Sequence, residues 1–395
     1  MATVLESCCS TEAGPSSAYR SARPVVSFDE ARGLAAQYGT PLIVISRSAV
    51  LRNFQAFRSA LPGVELFYAA KANPAQPILQ TLAQAGSSVD VCSYGEMLQA
   101  LEAGFTPDQM IHTHPCKTVQ NLTQCYAAGL RWFTFDNANE LPKIARHTPD
   151  VNLLLRLAVT SASSMINLSA KFGASEGDAV DLMLQARAQG LQVKGMSFHV
   201  GSQCRSPEDF HTALLQARRI WDRAAAAGVE LEVLDIGGGF PAPYHDSVLT
   251  LDAYCRSLAG SLDEIFGDLA IRLIAEPGRG MCAETASLIT SVIGKSMRQD
   301  LPWYLIDDGV YGSFSGQVYD HVEFPLLAEG ADCRPLSPCV VAGPTCDSSD
   351  VVCRTQLLPD LEIGELLVVP TMGAYTSASA SNFNGLDLAR VLGID

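Results

Sequence analysis

The chain has 395 residues, 48% of them hydrophobic, and a formal net charge of −15. That length supports a large core and two domains, and the acidic balance argues against nucleic acid, whose phosphates need clustered Lys and Arg. No run approaches the ~18 apolar residues of a membrane span, so no membrane partner is expected.

The stretch Met1–Arg20 lacks a basic start followed by an apolar run. It does not read as a secretory signal, and residues 1–26 are expected to form a flexible leader. The twelve cysteines include adjacent Cys8 and Cys9 but no CxxC pair and no zinc spacing. No metal is expected, and reduced thiols in a cytoplasmic compartment are the default.

A short strand at Pro41–Ile45 precedes a helical stretch at Leu51–Ala60. Strands and helices then alternate. The strand candidates are Val64–Ala70, Ser88–Cys92, Met110–Thr113, Trp132–Phe135, Val151–Ala158, Val193–Val200, Leu231–Ile236 and Ile271–Ala275. Helical stretches lie between them, and Pro74 and Pro77 open the first of these. Eight such units with a polar residue at nearly every strand end favour a (β/α)8 TIM-like barrel over a doubly wound sheet. After Glu276 the strand-like runs lose their long helices, which reads as a separate β domain. The expected division is a strand within 27–45 given to the β domain, a barrel over 46–285 and the β domain over 286–395.

In a barrel, functional groups project from the C-terminal strand ends. Phe67-Tyr68-Ala69-Ala70-Lys71 runs an apolar strand into a lysine. A partly desolvated amine there is expected to have a lowered pKa and to attack carbonyls. Other strand ends supply Asp90, His114, Asp136, Arg156, His199 and Glu276. A polar strand-end residue is often only a turn former or cap, and a lone histidine is more often a satisfied core residue. Gly237-Gly238-Gly239 lets the backbone approach an anion, but it is neither GxGxxG nor a P-loop, so a nucleotide site is unsupported. Glu276-Pro277-Gly278-Arg279 sets a carboxylate three residues before an arginine able to grip a phosphate. Together these parts suit pyridoxal phosphate: an aldehyde for Lys71, a phosphate for Arg279 and the glycines, a ring nitrogen for Glu276.

From about Pro41 to the C-terminus the chain resembles the barrel-fold, pyridoxal-phosphate-dependent ornithine/diaminopimelate/arginine decarboxylases, most nearly the ornithine type. The resemblance implies that Lys71 bonds to the cofactor aldehyde, that His199 stacks on its ring and that Glu276 meets its nitrogen. Ser202, Gly239, Gly278, Arg279 and Tyr375 match phosphate-binding positions. Asp90 and Glu96 match acidic residues near the lysine, and Arg156 a basic residue on the rim. Gly343-Pro344-Thr345-Cys346-Asp347 is similar to a segment that the partner subunit inserts into the site. There the cysteine protonates Cα and the aspartate meets the substrate's distal amine. Tyr319-Asp320 resembles a pair whose aspartate binds the same amine. A homodimer with shared active sites is thereby implied. So is decarboxylation of a basic amino acid, L-ornithine first. Lysine, diaminopimelate or a pathway-specific amino acid is the alternative, and a non-catalytic regulatory relative is a third reading. Two departures stand out. Ile166-Asn167 replaces the usual Cys-Arg pair, which leaves substrate choice open. Little chain follows Asn384-Gly385, so degradation through a C-terminal tail is not expected.

Overall fold

Eight parallel strands close into a ring, with helices returning along its outside. The computed structural model describes residues 19–166 and 169–395. The expectations for residues 1–18 and for Asn167 lie outside the described residues.

From the N-terminus, α1 (Phe28–Tyr38), β1 (Leu42–Ser46) and α2 (Arg47–Ala60) lead into the ring. The ring strands are β2 (Val64–Ala69), β3 (Ser88–Val91), β4 (Met110–His112), β5 (Trp132–Phe135), β6 (Asn152–Leu157), β7 (Gln192–Phe198), β8 (Val233–Asp235) and β9 (Arg272–Ala275). Each pairs with its neighbour in chain order, and β9 closes the ring on both β8 and β2. Among the described residues α2 is followed around the outside by α3 (Gln76–Gln84), α4 (Tyr94–Ala103), α5 (Val119–Ala127), α6 (Leu141–His147), α7 (Ala179–Ala188), α8 (Glu208–Ala226) and α9 (Leu251–Phe266). Their apolar positions recur at three- and four-residue spacing. In α8, Phe210, Ala213, Leu214, Ala217, Ile220, Trp221 and Ala224 are all buried.

Inside the ring, Phe67, Ile111, Leu154, Val233 and Ile274 form their own buried cluster. Burying each such side chain stabilises the fold by about 1.5–3 kcal/mol. Arg272, ion-paired to Glu65 at 2.6 Å, lies over the Phe67 and Trp132 rings. The N-terminal end is thereby plugged, and the polar strand ends gather at the opposite mouth.

The second domain is built on β10 (Ala286–Arg298), β11 (Leu301–Ile306), β12 (Leu336–Ala342), β13 (Val351–Pro359), β14 (Leu366–Val369) and β15 (Arg390–Ile394). β1 joins this sheet, antiparallel to β10 and parallel to β15. Ahead of that strand, residues 28–38 form a helix that the sequence reading did not place: Ser27 and Glu30 exchange a capping box, with Ser27 N–H donating to Glu30 at 2.8 Å. The leader is also anchored before residue 26, because Tyr19–Arg20 pairs with Val248–Leu249 and the Val25 N–H donates to Ser287 Oγ at 2.9 Å. Among the described residues no helix is long and apolar enough to cross a membrane.

Candidate active site

Strand β2 ends at Ala69, and a single 3-10 turn at Ala70–Ala72 swings Lys71 over the mouth. Ala69 pairs in register with Asp90 on β3, so the two strand ends bring amine and carboxylate together. Lys71 Nζ donates to Asp90 Oδ2 at 2.5 Å, and Asp90 is fully buried. This corrects the expected acidified amine. Burial does pull Lys71 down, but Asp90 and the acidic groups around it together outweigh burial and hold the amine well above its ordinary range.

Glu276 follows β9, where its N–H donates to the Gly237 carbonyl at 2.8 Å. Burial, then the neighbouring Asp235 and Asp90, push its carboxyl well above the usual range. Burial also pushes Asp235 up to about 6. His199 follows β7, and its Nδ1 accepts the Gly201 N–H at 3.0 Å. Burial, then Arg156 and Lys71, hold its ring well below the usual range, so it is neutral.

Arg279 is buried at the same mouth. Its guanidinium donates to Tyr244 OH at 2.8 Å, Ser202 Oγ at 3.1 Å and Asp320 Oδ2 at 2.5 Å, and it lies 4.7 Å from the Tyr375 ring centroid. Its buried Nε has no partner. The glycines beside it permit close backbone approach. A Cβ on Gly238 would lie 2.6 Å from the Glu276 carbonyl oxygen. Gly239, at φ +116°, would press one 2.6 Å from Gly201 O. Gly237 also holds a positive φ, and Gly278 precedes the short helix that begins at Arg279.

Lys71, His199, Ser202, Gly239, Glu276, Gly278, Arg279, Asp320 and Tyr375 line one cavity of about 200 Å3. An amine, a buried carboxyl, a neutral imidazole and a guanidinium with an unused N–H fit a phosphorylated pyridine aldehyde. Residues 47–283 match the family model described as the pyridoxal-dependent decarboxylase pyridoxal-binding domain. The chain belongs to the pyridoxal-dependent decarboxylases. It is 42% identical over 365 residues to a lysine/ornithine decarboxylase of Selenomonas ruminantium, covering 92% of each chain. A solved SrLDC mutant in complex with PLP superposes with a TM-score of 0.91 at 40% identity, over 95% of this chain and 97% of that one. A lysine/ornithine decarboxylase of Vibrio vulnificus, complexed with cadaverine, gives 0.88 at 36% identity over 93% and 98% of the two chains. The protein is a pyridoxal-phosphate-dependent decarboxylase of basic amino acids.

Not every expected site residue of this decarboxylase reaches the cavity. Cys346 is exposed on a turn outside it, with its N–H donating to Asn384 Oδ1 at 3.0 Å. Asp347 accepts the Tyr311 hydroxyl, and Tyr311 stacks on Phe383 at 4.2 Å. Asp350 ties the turn down, accepting the Thr345 N–H at 3.1 Å and its hydroxyl at 2.7 Å. Tyr319 is 65% exposed and lines a different hollow. Arg156 packs over the Phe172 ring at 5.5 Å and acts on the site through its charge on His199. His114 meets the same ring edge-on, and Asp136 accepts the Gly173 N–H at 2.9 Å.

Sequence reading missed Tyr244, Gln203 and Phe240, which sit on irregular loops with no periodic signal. It also passed over Asp235, although that residue is a polar strand end two positions before Gly237.

Proposed function

We propose that this decarboxylase converts L-ornithine to putrescine, a step of polyamine biosynthesis. The observation that carries the reading is that the Asp320 carboxylate lines the same cavity as Lys71. A partly dry carboxylate near the reacting amine suits a substrate with a distal ammonium.

When bound, pyridoxal phosphate supplies an aldehyde for amines and a ring that takes up the electron pair released as carbon dioxide leaves. Lys71, held by Asp90, would bond to the aldehyde. Ser202, Gly237, Gly238, Gly239, Gly278, Arg279 and Tyr375 would hold the phosphate. Glu276 would serve the ring nitrogen, and the neutral His199 imidazole would pack against the ring. Arg156 sets the charge at the rim. Asp320 orients the substrate through its distal ammonium.

Cys346 and Asp347 lie outside the cavity of their own chain, so the reading requires a homodimer. The partner's Cys346 delivers a proton to Cα, the partner's Asp347 adds a second carboxylate for the distal ammonium, and Tyr319 lies at the subunit junction. A cytoplasmic location belongs to the same reading, because reduced thiols are the default there.

L-lysine is the second reading, favoured by the relatives named lysine/ornithine decarboxylases. The two substrates differ by one methylene, worth about 10- to 200-fold in kcat/KM. Carbon dioxide release from L-ornithine, L-lysine, L-arginine and diaminopimelate tests the assignment. Ornithine is expected to give the highest kcat/KM. A higher value for lysine replaces it, and release from diaminopimelate alone removes the Asp320 argument.

A further inference from the structure

Asp235 and Glu276 end neighbouring strands of the ring, with Asp235 in register with Ile274. Asp235 is fully buried, and Glu276 is 5% exposed. One glycine links them: Asp235 Oδ1 accepts the Gly237 N–H at 2.9 Å, and the Gly237 carbonyl accepts the Glu276 N–H at 2.8 Å. The second oxygen, Asp235 Oδ2, is buried without a donor.

The cations facing this pair, Lys71 and Arg156, are each engaged elsewhere and do not offset its burial. Lys71 is bound to Asp90 at 2.5 Å, and Asp90 adds a further negative charge. Arg156 lies over the Phe172 ring, and its charge draws Asp235 down without offsetting the burial that pushes it up. His199 is neutral, its Nδ1 filled by the Gly201 N–H. Two carboxylates side by side in a dry pocket cannot both ionise. A proton between them supplies the donor that Asp235 Oδ2 lacks and removes most of the repulsion.

We propose that Asp235 and Glu276 hold one proton between them at neutral pH, and that Asp235 is thereby a positioning residue which fixes the Glu276 carboxyl. The pair then carries a single negative charge, matched to one ring cation. The upward displacement of both groups agrees with this. The functional part rests on the reading that Glu276 meets the cofactor nitrogen, whereas the shared proton does not.

Infrared difference spectroscopy of the cofactor-loaded full chain tests the proposal. Wild type is expected to show the carbonyl stretch of a buried, protonated carboxylic acid at neutral pH. Asp235→Asn replaces the acid by an amide donor of the same shape, and Glu276→Gln does the same from the other side. Each is expected to lose the band, and Asp235→Asn is expected to bind one proton fewer in a potentiometric difference titration. Asp235→Asn should also keep the ring-protonation absorbance of the cofactor that Asp235→Ala loses. Absence of the band from wild type overturns the proposal even if no variant folds, and so does its persistence in Asp235→Asn. If Glu276→Gln loses the band yet leaves the cofactor absorbance unchanged, the shared proton stands and the reading of Glu276 against the ring nitrogen fails.

Discussion

Arg279 and Asp320 form a largely buried ion pair, Nη2 to Oδ2 at 2.5 Å, with side chains 4% and 14% exposed. One residue is assigned to phosphate and the other to the substrate's distal ammonium. A phosphate on Arg279 competes with Asp320 for the same guanidinium, and a substrate cation draws Asp320 away. Asp320→Asn is therefore expected to retain pyridoxal phosphate better than wild type through dialysis. Losing a charge-assisted hydrogen bond of about 1.5–3 kcal/mol should raise KM for the basic amino acid roughly 10- to 100-fold. Weaker cofactor retention would mean that Asp320 steadies Arg279 rather than competing for it.

The pairing of Lys71 with Asp90 makes the pH dependence of cofactor attachment a test of the site. Attack on an aldehyde needs the unprotonated amine, and Asp90 raises the proton affinity of Lys71 above its ordinary value. The attachment rate should therefore rise with pH in wild type. In Asp90→Asn the amine loses that partner while its burial remains, so the rise should move to lower pH. Stopped-flow absorbance after adding pyridoxal phosphate to the stripped chain reads the midpoint. A midpoint that stays or moves upward contradicts the role given to Asp90.

How much of this was legible in the sequence depends on how local each signal is. The βα units are local: Val64–Ala69 is an apolar run, and α3 begins at prolines and carries Ile78, Leu79 and Leu82 inward. The helix α1 was also written locally, in the Ser27–Glu30 box, and went unread. Strand β15 was not legible, because Arg390–Ile394 is only partly covered, contains Gly393 and pairs with distant β1. The same distinction holds at the site. Lys71 announces itself at a strand end, but its proton affinity is set by Asp90, which meets it only through the register of β2 with β3. Tyr244 reaches Arg279 from a loop that carries no pattern.

Asp209 anchors the cavity wall from outside. It accepts the Ser161 and Ser163 hydroxyls at 2.6 Å and the Ser163 N–H at 2.9 Å, and the chain continues to Ile166, whose carbonyl accepts the Ser202 N–H at 3.1 Å. Burial opposes its charge, but the serine and backbone donors win and hold it at about 2. A depressed carboxylate stabilises the fold fully above its unfolded pKa, and that contribution disappears as pH falls through the folded value. At 1.36 kcal/mol per unit, Asp209→Ala should cost roughly 2 kcal/mol at neutral pH. Urea unfolding at pH 7 and pH 3 checks the sign: the difference from wild type should shrink at pH 3. An equal difference at both would assign the loss to packing rather than to the charge.

The separation of Cys346 from Lys71 within one chain makes a sharp demand on assembly. Cys346 is exposed, and its turn is held by Asp350 and Asn384 rather than by the cavity. If a partner's turn completes each site, Lys71→Ala and Cys346→Ala homodimers are each impaired in both sites. A hybrid of the two has one site with both residues intact and one with neither. Mixing the inactive variants under conditions of proven subunit exchange should therefore restore turnover. Random exchange makes half of the dimers hybrid, each with one working site, so activity should approach about a quarter of wild type by the mass-action logic of an exchanging dimer. Native mass spectrometry of differently tagged subunits establishes the exchange. Full mixing without recovered carbon dioxide release would rule out shared sites and require the proton at Cα to come from within one chain.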